Sequence, residues 1–282
     1  MQAFRRARRV GYTGRSVRWT GKPFGNSCTM GLCIGVLLLA SMCVRAEIVG
    51  LNDASQRNPG SLMQGDIAHW SRKRINTPHA LTFDDDVHGV SAARFEIRPE
   101  DAKVSEGYRA ELRDPYVAAP HEEVWYRFRT LIPAPLAEGG DLSLVLAQWH
   151  DKKTEGRPAA RPPLALRLQR GTLRVTLWND AVLAAQGVDG NGKIIYESRE
   201  FPIDAWIDFV FAVQWSPDRR GIARMWMNGA LAAEHRGAIG YRDDVHGPYF
   251  KLGVYTVHEF DRPLYVYHSD YRRASSRAGL TE

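Results

Sequence analysis

The chain has 282 residues, with 38 Lys and Arg, 32 Asp and Glu, and three cysteines. That length can bury a full core without covalent staples, and Cys28, Cys33 and Cys43 all precede residue 47, so the remainder has neither a disulfide framework nor thiol chemistry. The net charge of +6 has the same origin: residues 1–46 hold eight basic and no acidic residues, leaving 30 basic against 32 acidic, a net of −2, and no global case for nucleic-acid binding.

Residues 1–46 read as a removable secretion signal. Arg5, Arg6, Arg8, Arg9, Arg15, Arg18 and Lys22 form a basic region, the run from Met30 to Val44 is apolar, and Val44-Arg45-Ala46 ends in an A-x-A-like exit. The apolar run is short for a membrane span, so no stable span is expected once the signal is removed. Met30 is an alternative start. An uncleaved anchor and a lipoprotein signal are the other readings, and Met42 just before Cys43 argues against the second. Export without cysteines predicts a secreted or periplasmic protein.

From residue 47 to 282 one domain is expected, because no break in composition divides it. No long segment keeps a 3.6-residue period. Alternating or β-branched and aromatic runs predict strands near 91–97, 107–113, 123–132, 142–150, 164–169, 172–179, 193–199, 206–215, 222–228, 231–236, 249–256 and 264–272. Turns are expected at Asn179-Asp180, at 189–192, at 217–221 and at Asn228-Gly229, the last as the tip of a tight hairpin. Many short strands without a helical half predict an all-β fold, a two-sheet antiparallel β-sandwich. Residues 151–163 form a polar, proline-rich loop of the kind that borders binding sites. The pentapeptide Asp-Asp-Val-His-Gly occurs at 85–89 and again at 243–247, and both copies read as turns before strands.

Three of the expected strands share a pattern. Arg109, Glu111 and Arg113 alternate with Ala110 and Leu112. Gln148 and His150 alternate with Ala147 and Trp149. Lys251, Gly253 and Tyr255 alternate with Phe250, Leu252 and Val254. Side chains at i and i+2 share a face of a strand, so each strand turns an apolar row inward and a polar row outward. If the three lie in one concave sheet, the polar groups converge. Arginine forks and an amide suit carboxylates and sugar hydroxyls, Glu111 would hold the arginines in place, and His150 and Tyr255 are the natural proton-transfer groups. Taken singly, an Arg-x-Glu-x-Arg strand is more often a salt-bridge ladder, and a lone histidine at a strand end is more often structural.

The set Arg109-Ala-Glu-Leu-Arg113, Gln148-Trp-His150 and Lys251-Leu-Gly-Val-Tyr255, in that order, resembles the polysaccharide lyase family that contains heparin lyase I and glucuronan lyase. The resemblance spans roughly residues 60 to 270. It implies a β-jelly roll of the concanavalin A-like lectin type that cleaves a uronic-acid polysaccharide by β-elimination. It also implies roles: His150 as base, Tyr255 as acid or as base and acid together, Lys251 and Gln148 on the substrate carboxylate, and Arg109, Glu111 and Arg113 lining the sugar site. The expected partner is an acidic polysaccharide, and a net of −2 fits an unsulfated polyuronate better than a sulfated one.

Some relatives carry calcium. Asp84, Asp85, Asp86, Asp243 and Asp244 could offer oxygen ligands, but no spaced calcium loop is present and turn chemistry explains them. No metal ligand or cofactor is therefore assigned. Trp70, Trp125, Trp149, Trp178, Trp206, Trp215 and Trp226 read mostly as core, with sugar stacking a second reading for Trp178. Two other functions compete with a lyase. One is a lectin-like module that binds acidic glycans without cleaving them. The other is a hydrolase, for which Glu111 finds no partner carboxylate.

Overall fold

A computed structural model describes residues 70–281 except 74, 139, 152–160 and 245. The secretion signal expected at 1–46 and most of the polar loop at 151–163 lie outside the described residues.

Alternation decides the local structure. In 123–131, Val124, Tyr126, Phe128 and Thr130 are buried, whereas Glu123, Trp125, Arg127 and Arg129 face outward. This period of two fits a strand with one face on a core. The described strands in chain order are β1 (Ser71–Lys73), β2 (Leu81–Val87), β3 (Val90–Ile97), β4 (Tyr108–Val117), β5 (Glu123–Leu131), β6 (Ser143–His150), β7 (Leu164–Gln169) and β8 (Thr172–Leu177). They continue with β9 (Lys193–Ser198), β10 (Trp206–Gln214), β11 (Ile222–Met227), β12 (Ala230–Arg236), β13 (Tyr249–Thr256) and β14 (Leu264–Ala274). Two short helices, α1 (Ala134–Ala137) and α2 (Asp180–Gln186), sit in connections. No described helix is long and apolar enough to cross a membrane.

The strands form two antiparallel seven-stranded sheets. One runs β1-β4-β13-β6-β7-β8-β9 and the other β12-β11-β10-β5-β14-β3-β2. Their inner faces meet in an aromatic core. Trp149 packs against Phe250 at 5.0 Å and Phe211 at 4.8 Å between ring centroids, and Phe128 stacks on Phe211 at 5.9 Å. Burying each such side chain contributes about 1.5–3 kcal/mol, so this layer stands in for the absent disulfides. The sandwich expected from the sequence is thus the observed fold.

The differences are local. Strands β1 and β2 escaped the pattern because both are sheet edges: β1 has three residues, and Asp84, Asp85 and Asp86 break the apolar alternation of β2. The first Asp-Asp-Val-His-Gly copy therefore begins inside β2, and only His88 and Gly89, both at positive φ, make the turn. Asn179-Asp180 is a helix start rather than a hairpin turn: the Asn179 side-chain oxygen accepts from the Val182 amide at 3.0 Å and caps α2. Trp178 is 1% exposed, so it is not a sugar platform. Its backbone is tied to Pro163 and Gly240, and Gly192 lies so close that an added Cβ would approach the indole nitrogen to 2.5 Å. In the other direction, Trp125 and Trp226, expected in the core, stack on each other at 5.3 Å on the outer face of the second sheet. Asn228-Gly229 forms the expected hairpin tip, with both residues at positive φ.

Candidate active site

Strands β4, β13 and β6 are neighbours in one sheet. Ala110, Leu112, Ala147, Trp149, Phe250, Leu252 and Val254 all point into the core, so the intervening polar residues share the opposite face. The register makes two rows across the strands. Arg113 faces Lys251, which faces Gln148, and Arg109 faces Tyr255, which faces Val145. Glu111 lies between the rows, opposite Gly253.

The rows do not stay parallel. They are four residues apart on β4 and β13, three apart on β6, and two apart on β7, where Arg167 faces Val145 and Ala165 faces Gln148. Each loss is a β-bulge, at Leu252/Tyr255 on one side of β6 and at Val145/Ala147 on the other. Bulges increase twist and bend a sheet, so they re-aim the side chains beside them. Gly253 makes the first bulge possible. Its φ is +147°, and an added Cβ would approach the Ala110 carbonyl oxygen to 2.1 Å.

The second sheet supports this bulge from below. His268 of β14 is fully buried, and its Nε2 lies 3.2 Å from the Gly253 carbonyl. A carbonyl only accepts, so Nε2 carries the proton. Nδ1, 3.0 Å from the Thr130 hydroxyl, then accepts from it. Burial pushes His268 down to about 4, so the ring is neutral at ordinary pH. Nothing in the sequence pattern of β14 marked this histidine.

Glu111 is the hub of the outer face. It is 3% exposed and takes three partners. Gln148 donates its amide to Oε1, Arg109 Nη1 lies 3.4 Å from Oε2, and Lys251 Nζ lies 3.6 Å from Oε2. Positive charge is therefore in excess around one carboxylate. Arg113 rests its guanidinium 3.9 Å above the Tyr249 ring, and Arg109 lies 4.0 Å above Tyr255. The Nε atoms of both arginines are buried with no hydrogen-bond partner among the described residues. An unsatisfied buried donor is costly, and a bound anion would relieve that cost.

His150 stands at one end of the cluster, stacked on Tyr249 at 5.9 Å. Its Nδ1 lies 2.9 Å from the Asp151 carbonyl oxygen and 3.2 Å from an Asp151 carboxylate oxygen. Both neighbours are acceptors, so Nδ1 carries the proton and Nε2 keeps its lone pair. Asp151 thereby selects the tautomer of the neutral ring that leaves Nε2 as an acceptor. Tyr255 stands at the other end. His150 faces Tyr249, and Tyr255 follows six positions later on β13.

All seven residues expected from the sequence, Arg109, Glu111, Arg113, Gln148, His150, Lys251 and Tyr255, thus occupy one face. Three residues around them were missed. Tyr249 and Asp151 each adjoin a quoted motif, and the presence of a carboxylate beside a histidine was the available signal for Asp151. Arg167 lies on β7, whose alternation of Leu164, Leu166 and Leu168 put it on the same face without marking it as special. No group of three potential ligands among His, Cys, Asp and Glu gathers as a metal site among the described residues. The aspartates at 84–86 belong to an edge of the second sheet, and those at 243–244 precede β13 in the first.

Comparison with known proteins agrees with this fold. A family model described as polysaccharide lyase matches residues 62–272. No curated protein sequence matches the chain. Among solved structures, an endo-β-1,4-glucuronan lyase from the fungus Trichoderma reesei superposes with a TM-score of 0.61 at 18% identity, covering 79% of this chain and 96% of that one. The alginate lyase A1-II′ superposes with a TM-score of 0.52 at 16% identity, covering 75% and 96%. At these identities the likeness is one of fold, whereas the family match extends over most of the sequence. The chain belongs to the polysaccharide lyase family, whose members act by β-elimination.

Proposed function

We propose that the protein is an exported lyase that cleaves an unsulfated uronic-acid polysaccharide of the glucuronan or alginate kind. The observation that carries this reading is the excess of buried positive charge around Glu111, flanked by a tyrosine and by a histidine oriented by Asp151. The C5 proton of a uronate is weakly acidic, and its loss leaves enolate-like charge on the adjacent carboxylate. Lys251, Gln148 and the two arginines would neutralise that carboxylate. His150 Nε2 would remove the C5 proton, and Tyr255 would protonate the departing C4 oxygen. The net of −2 after residue 46 and the likeness to glucuronan and alginate lyases support an unsulfated chain. The basic, apolar and small-residue segments of 1–46 support export to the periplasm or exterior.

A second arrangement has Tyr255 acting as both base and acid, with His150 holding substrate. The register favours it, because His150 faces Tyr249 rather than Tyr255. The test is the near-ultraviolet absorbance of unsaturated products when purified protein meets glucuronan, alginate, heparin or heparan sulfate. Tyr255→Phe should lower kcat by about 10²–10⁴-fold with glycan retention kept. His150→Ala should do the same if His150 is the base, and should mainly raise KM if Tyr255 serves both roles. Retention of a glycan without product by the wild-type protein, across all four polymers, would make it a binding module instead.

A further inference from the structure

The row that contains Tyr255 does not end at β6. Arg109, Tyr255, Val145, Arg167 and Arg174 face one another in sequence across β4, β13, β6, β7 and β8. Strands lie about 4.8 Å apart, which puts Arg167 two strand spacings, roughly 10 Å, beyond Tyr255. For a chain laid across the strands, that separation corresponds to a sugar further along the chain rather than the sugar being cleaved.

Arg167 and Arg174 are directly opposite, an unfavourable pairing of like charges. They are treated unequally. Arg174 is neutralised by Glu197, with Nε 2.5 Å from Oε2, and donates to Gln169 at 2.7 Å. Arg167 donates Nε to the Thr176 hydroxyl at 2.9 Å and has no carboxylate partner among the described residues. The Thr176 contact orients the guanidinium, since Nε is one of only five donors, and it leaves the two terminal nitrogens to act as a fork. Arg161 adds further positive charge nearby, and its own described carboxylate, Asp189, is fully exposed at 3.9 Å. Burial and then Arg161 push Arg167 down to about 10, while the Tyr255 oxygen acts in the other direction, so the group stays cationic at neutral pH. A cation held in a half-buried place, oriented by a hydroxyl and without a carboxylate among the described residues, has the properties of a receptor for an anion.

We propose that Arg167 is a second carboxylate-binding residue, receiving the carboxylate of a uronate further along the chain from the one at which elimination occurs. This deepens the polyuronate lyase reading and rests on it. It makes the enzyme a reader of more than one uronate along the chain.

The test uses Arg167→Gln and Arg167→Lys in the full protein. On glucuronan oligomers, Arg167→Gln should raise KM about tenfold and change kcat less than threefold, with Arg167→Lys falling between it and the wild type. In a His150→Ala/Tyr255→Phe background, calorimetry with a saturated glucuronate hexamer should show the same loss of affinity for Arg167→Gln, and a weaker salt dependence. Unchanged KM and unchanged hexamer affinity would overturn the proposal. So would a fall in kcat at constant KM, which would put Arg167 on the reacting sugar. Should the wild type cleave no polymer, the lyase reading fails, and hexamer binding alone then decides the case for Arg167. Should Arg167→Gln fail to fold, Arg167→Lys carries the test, because it keeps the charge and loses the fork.

Discussion

The outer faces of the two sheets are built from the same residue types and end in opposite electrostatic states. On the second sheet, most cations reach a carboxylate, although Arg94 and Arg98 share Glu96 and Arg224 and Arg236 share Glu234. Arg127 forks onto Asp208 at 2.8 Å, Arg129 reaches Asp270 at 3.4 Å, and Arg224 meets Glu234 at 2.7 Å. On the first sheet, Arg109 and Lys251 share Glu111, Arg113 stacks on a ring, and Arg167 has only a hydroxyl among the described residues. The matched face is a salt-bridge ladder in contact with water. The unmatched face keeps buried cations in excess, which costs stability and preorganises the sheet for an anionic ligand. An Arg-x-Glu-x-Arg strand therefore does not announce its role by composition. The role depends on whether neighbouring strands supply more carboxylates or more cations.

The largest effect should follow from removing the hub. Glu111→Gln keeps an acceptor for Gln148 but leaves Arg109 and Lys251 without their shared counter-charge. Breaking a buried ion pair by removing one partner typically costs about 3 kcal/mol or more, and the loosened clamp should lower kcat/KM at least tenfold. Urea unfolding and steady-state kinetics on the same preparation read both. A loss of less than about 1 kcal/mol with intact kcat/KM would mean that the two faces are energetically alike.

Much of this arrangement was legible in the sequence because it is written in alternation. The period of two in Arg109–Arg113, Gln148–His150 and Lys251–Tyr255 fixed which side chains share a face, and the apolar partners of each strand fixed which face that is. What alternation cannot carry is pairing. The meeting of β4, β13 and β6 depends on contacts between segments over a hundred residues apart, and only the family resemblance anticipated their convergence. Arg167 was silent for the same reason: a lone arginine in a leucine-rich strand looks like an ordinary surface residue until the register sets it in the row of Tyr255. Trp178 is core, as its alternation suggested, and only its second reading as a sugar-stacking ring fails. His268 stayed hidden because its partner is a backbone carbonyl, which no side-chain pattern encodes.

That histidine gives the next effect in size and links the sheets. His268 is flanked by Phe95 at 5.4 Å and Phe128 at 6.3 Å, with Thr130 and the Gly253 carbonyl as its polar neighbours. Its folded value, about 4, lies below the ordinary 6.5. As pH falls below 6.5 the unfolded chain takes up a proton that the folded chain refuses, so stability declines. The decline continues to about 4 and then levels, amounting to about 3 kcal/mol. His268→Gln should flatten this part of the urea-stability profile between pH 6.5 and 4. An unaltered slope in the variant would show that other groups dominate acid sensitivity and that the ring beneath the Gly253 bulge is not titrating against burial.

The smallest effect belongs to the matched face, and its smallness is the point. Arg224 is about a quarter exposed and is paired with Glu234, which Arg236 also contacts at 2.8 Å. Removing it by Arg224→Ala leaves Glu234 with a second cation and access to water. An exposed pair is worth about 0.2–1 kcal/mol, and the residue lies on the sheet opposite the site, so stability should fall by less than about 1 kcal/mol and kcat/KM should not change. Higher salt should shrink even that difference, because screening acts on exposed pairs first. A loss of activity in Arg224→Ala would place substrate contacts on the second sheet and remove the distinction between the faces. A null effect beside a large one for Glu111→Gln would locate the difference in pairing and burial rather than in the residue types themselves.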